Sequence, residues 1–105
     1  MKKLAILLAL LLPLPAFGQS PEGKARYELN KCVQAAAVKF AALPDALSDV
    51  ADASLAACRS EMDAFGNALD QSTLAGVKRR VMLETTETMR KVALEAAAQM
   101  RLTRP

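Results

Sequence analysis

The 105-residue chain has no histidine and no tryptophan, one tyrosine and three phenylalanines. Without histidine there is no His-dependent catalytic triad, no His-ligated zinc and no Cys-x-x-Cys-His attachment of a c-type haem. The four glycines, at positions 18, 23, 66 and 76, never cluster, so no glycine-rich phosphate loop forms. No nucleophile-elbow or paired-carboxylate pattern occurs either. The expectation is a protein that is not an enzyme and holds no cofactor. The scarcity of aromatics also removes the stacking platform that single-stranded nucleic acid needs, and nucleic acid is not an expected partner.

Long hydrophobic runs are equally scarce. One occurs, Leu4 to Leu12, preceded by Met1-Lys2-Lys3 and followed by Pro13 to Gly18 with small residues at Ala16 and Gly18. A basic start, a short apolar run and small residues describe a secretory signal peptide over residues 1–18, with cleavage between Gly18 and Gln19. The run is shorter than the roughly 20 residues of a membrane span, and no second candidate follows. Residues 13 to 31 hold no cysteine, which excludes a lipoprotein acceptor. The expected product is a single helical domain, residues 19–105, that is periplasmic or secreted and has no transmembrane span.

Such a product has 87 residues, a size at which a core alone stabilises marginally. Its two cysteines, Cys32 and Cys58, lie 13 residues either side of Asp45, beside Pro44. In Tyr27 to Leu43 the residues Leu29, Val33, Ala36, Phe40 and Leu43 share a helical face with Cys32 at its edge. Leu47, Ala51, Leu55, Cys58, Met62, Phe65 and Leu69 form a second such face. A hairpin turning at Leu43-Pro44-Asp45 brings both thiols to one height, about 20 Å from the turn at 1.5 Å per residue. In an oxidising compartment this predicts a Cys32–Cys58 disulfide joining helices 1 and 2; the wide spacing is unlike a redox-active Cys-x-x-Cys.

Ser20-Pro21-Glu22 reads as cap, first helical position and dipole-favoured acid. Asp45 or Ser48 is the expected cap of the second helix. Asp45, Asp49 and Asp52 lack the Asp-x-Asp alternation and glycine of a calcium loop, and suit the positive end of a helix dipole instead. Asp70 to Thr73 ends that helix. A third follows, with a core face of Leu74, Val77, Val81, Thr85, Met89, Val92, Ala96 and Met100. No segment alternates with period two. The fold expected is all-α: a small antiparallel three-helix, up-down-up bundle with helices over about 21–43, 46–69 and 73–102. Met62, Met82, Met89 and Met100 are expected as packing residues rather than copper ligands.

Charge divides unevenly. Residues 19–70 carry five basic and eight acidic side chains, and residues 71–105 carry seven basic and three acidic. Arg80-Glu84, Glu87-Lys91 and Lys91-Glu95 stand at i,i+4 spacing and are expected to pair. Arg79, Arg90 and Arg101 recur every eleven residues, nearly in line, with Leu83 and Leu94 beside them. Placed opposite the core face, these five are either a plain solvated face or a candidate surface for a protein partner or for self-association. In general plan, a small exported helical chain with one disulfide is similar to periplasmic acid-stress chaperones and to small periplasmic inhibitor or immunity proteins, a likeness of plan and not of motif. The expected function is that of an interaction or binding module in the periplasm or envelope. The alternative is a stress-type holdase, and the third choice a small enzyme.

Overall fold

The computed structural model describes residues 20–70 and 74–103. Residues 1–19, where the signal peptide and its cleavage site are expected, residues 71–73 and residues 104–105 lie outside the described residues. Four helices and no strand occur among those described: α1 (Pro21–Phe40), α2 (Leu47–Ala57), α3 (Arg59–Asp70) and α4 (Ala75–Leu102). The fold is all-α, with four helices in place of the expected three.

Helix α1 starts as its sequence dictates. Ser20 Oγ accepts from the Gly23 amide at 3.1 Å, Pro21 occupies the first turn and Glu22 adds an acid there. It ends at Phe40, three residues before the expected Leu43: Pro44 has no N–H to donate to the Phe40 carbonyl four residues back and its ring crowds that carbonyl. The chain leaves through tighter turns, in which the Ala42 and Leu43 amides donate to the Lys39 and Phe40 carbonyls at 3.3 and 3.0 Å. Neither Asp45 nor Ser48 caps α2; Ala46 is its N-cap, with no side-chain hydrogen bond.

The extra helix arises at Cys58, which separates α2 from α3 with φ −104° and ψ 26°. Two features converge there. The buried Ser54 hydroxyl donates back to the Val50 carbonyl at 2.7 Å, a bond that bends helices, and the Cys58 amide is shared between the Ser54 and Leu55 carbonyls, each at 3.2 Å. The Cys58 sulfur is bonded to Cys32 across a Cα–Cα distance of 5.9 Å, so the disulfide clamps α1 to the junction of α2 and α3.

Three polar links define the directions. Arg101 reaches Ala41, Arg90 reaches Asp52 and Lys78 reaches Asp70. Helix α4 therefore runs antiparallel to α2 and α3 and parallel to α1. Helix α2 packs on both α1 and α4, whereas α3 packs on α1 and only grazes α4.

The core is built of small side chains, among them Ala37, Ala41, Ala51, Ala93 and Ala97, around Leu29, Val33, Val50, Phe65, Leu69 and Met89. The second rod's expected face is found at Ala51, Cys58, Phe65 and Leu69, all buried. On α1 and α4 the buried lines differ from expectation. Leu29, Val33, Ala37 and Ala41 line α1, and Thr85, Met89, Ala93 and Ala97 line α4, both at strict four-residue steps. Four residues turn a helix by about 400°, so such a line precesses about 40° per step round the helix. Small residues on both helices permit the inclined i±4 packing that produces it. Leu43, Leu74 and Val77, expected in the core, are exposed.

Candidate functional site

The precession of the α4 line decides where the candidate surface residues lie. Continued one step past Ala97, it arrives at Arg101, which is half-buried. Its Nε donates to the Ala41 carbonyl at 3.2 Å, and one terminal nitrogen donates to the Leu43 and Asp45 carbonyls at 2.8 and 2.6 Å. The guanidinium thus holds the C-terminal end of α1 and the turn after it, where the helix dipole favours a cation. Leu94, also half-buried, packs against the core cluster. Arg90 pairs with the Asp52 carboxylate on α2. These three side chains were expected opposite the core; instead Arg90 reaches α2, Arg101 the α1–α2 turn and Leu94 the core cluster.

Arg79 and Leu83 are placed differently. At their height the buried line sits at Thr85, and Leu83, two residues earlier, points about 160° away from it at 100° per residue. Leu83 is 64% exposed. Arg79 is exposed and has no hydrogen bond or ion pair to any described residue. The structure therefore brings Arg79 and Leu83 together on the outward side of the first half of α4, and separates them from Arg90, Leu94 and Arg101.

Around them lies a shallow groove, open to solvent, lined by Ala75, Lys78, Arg79, Met82, Leu83 and Thr86. Its floor is apolar and its edge cationic. Lys78 is occupied, its Nζ 2.6 Å from the Asp70 carboxylate. The groove is accessible because α3 only grazes α4.

Glu87 belongs to the same ridge, one turn beyond Leu83, and sequence reasoning assigned it to Lys91. None of the expected pairs Arg80-Glu84, Glu87-Lys91 and Lys91-Glu95 occurs among the described residues, and Glu87 is exposed without a partner there. The signal that could have found it is the order Arg79, Leu83, Glu87 at four-residue steps. Asp45, Asp49 and Asp52 form no metal-holding cluster, and no group of three or more His, Cys, Asp or Glu able to hold a metal occurs among the described residues. No described helix is long and apolar enough to cross a membrane. Among known proteins, no family model, no curated sequence and no solved structure matches the chain, so its own geometry carries the functional argument.

Proposed function

We propose that the chain is a small exported protein-interaction module of the periplasm or envelope, working through the outward face of the first half of α4. One observation carries this: on a row of arginines and leucines repeated along one helix, the distal members are engaged within the chain, while Arg79 and Leu83 stand outward and unengaged. Arginine beside an exposed leucine is a composition enriched at protein interfaces. Export is supported by the basic, apolar and small-residue order of residues 1–18 and by the Cys32–Cys58 bridge, which belongs with an oxidising compartment.

The test is an affinity capture from the cell-envelope fraction, comparing the wild-type chain with an Arg79→Glu, Leu83→Ser variant. A module of this kind retains a partner stoichiometrically and the variant releases it, with unchanged helicity. Suppressed aggregation of unrelated unfolded clients, insensitive to the variant, would establish a holdase instead.

A further inference from the structure

We infer that the partner recognised by this face is a second copy of the same chain, joined across a two-fold axis at Leu83. This rests on the proposal that the outward face of α4 is an interface, and adds the identity of what covers it.

The inference comes from the order of residues along one ridge. Arg79, Leu83 and Glu87 follow at four-residue steps, so they form a continuous i±4 ridge on the helix surface. All three are exposed, and neither charge is satisfied by a described residue. A ridge reading cation, apolar, anion is matched by one reading anion, apolar, cation, and a second copy laid antiparallel supplies that order. Leu83 then meets Leu83 on the axis, and each Arg79 meets the other copy's Glu87. Every contact occurs twice, as in any isologous interface.

The surroundings suit a crossing helix. Ala75 and Thr86, which line the groove beside Leu83, are short. At Gly76 even an added Cβ would meet nothing within 4 Å. The ridge points away from the buried line, so the rest of the bundle does not stand between the two copies. An acidic peptide would satisfy Arg79 but oppose Glu87, and a basic one the reverse. One crossing of two helices is a small contact, which makes the association weak and concentration-dependent.

The test is sedimentation equilibrium on protein expressed from the full sequence and purified in the form the cell delivers, from about 10 µM to about 1 mM. The wild-type chain is expected to dimerise reversibly. Arg79→Glu places Glu against Glu twice and Glu87→Arg places Arg against Arg twice, so each alone should weaken dimerisation by roughly tenfold or more. Mixing these two variants restores opposite charges at both contacts, and the mixture should dimerise again as a heterodimer. Circular dichroism on each variant checks that α4 stays folded. A wild-type chain that is monomeric throughout, or dimers unaffected by either variant, or a mixture that stays monomeric, would overturn the inference. Envelope capture lost in the Arg79→Glu, Leu83→Ser variant while the wild type is monomeric would overturn the second copy and leave the interface standing.

Discussion

Replacing Arg101 with methionine tests the principal structural difference between the two ends of α4. Methionine retains an apolar stem of similar length, so the change removes chiefly the guanidinium and its three donations to the Ala41, Leu43 and Asp45 carbonyls. Hydrogen bonds from charged donors contribute roughly 1.5 to 3 kcal/mol each. Two of these three bonds are exposed, however, and the freed carbonyls regain water. The loss from the whole clamp is then about 2 to 3 kcal/mol, concentrated on the part-buried bond to Ala41. In a domain of this size a change of 1 kcal/mol moves the melting temperature by about 4 to 8 °C, so Arg101→Met should melt roughly 10 to 20 °C below wild type. Arg80→Met is the control, since an exposed substitution of a residue with no partner among the described residues stays within about 0.5 kcal/mol. The assay is thermal and urea unfolding followed by circular dichroism. If Arg101→Met falls within about 0.5 kcal/mol of wild type, indistinguishable from Arg80→Met, the guanidinium does not hold the end of α1.

Other consequences are equally direct. Converting Cys32 and Cys58 to serine releases a 26-residue loop, which should cost about 3.5 kcal/mol in the chain-entropy treatment and lower the melting temperature markedly. Gly66→Ala should raise stability by about 0.5 to 1 kcal/mol in urea unfolding, because a Cβ there meets Met82 Cε at an ordinary 3.5 Å within helix α3. Intact mass of the exported protein should place its first residue at Gln19; recovery with residues 1–18 attached would remove the signal-peptide assignment.

Much of this fold was legible wherever spacing alone determines contact. The equal offsets of Cys32 and Cys58 about Asp45 define a height on a hairpin independently of how the helices cross, and Ser20-Pro21-Glu22 carries its own helix start. The buried line of the second rod through Ala51, Cys58, Phe65 and Leu69 followed from periodicity for the same reason. The buried lines of α1 and α4 did not, because an alternation of three- and four-residue steps assumes a contact line parallel to the helix axis. The alanines at 37, 41, 93 and 97 incline that line, and inclination is a property of two helices together, invisible in either alone. It moved Leu94 and Arg101 inward and left Val77 outside. The break at Cys58 left no mark on the periodicity, because the apolar face runs through it; the Ser54 bond to the Val50 carbonyl and the shared Cys58 amide that accompany it are seen only in the folded chain. Of the five candidate residues, the outward placement of Arg79 and Leu83 was legible; that Glu87 stands exposed and without a described partner was not, because a lysine four residues on stood at pairing distance in sequence.

A single cysteine at Leu83 tests most directly whether the outward ridge of α4 is where two copies meet. Both native cysteines are already joined to each other, so the new thiol is the only free one among the described residues. On a two-fold axis it lies opposite itself, and mild oxidation of Leu83→Cys should yield a covalent dimer rapidly, with the Cys32–Cys58 bridge intact by peptide mass. Thr88→Cys, exposed on the same helix but about 140° round it from Leu83, should yield little. Equal dimer yields from the two variants, or none from Leu83→Cys, would contradict self-association through this ridge.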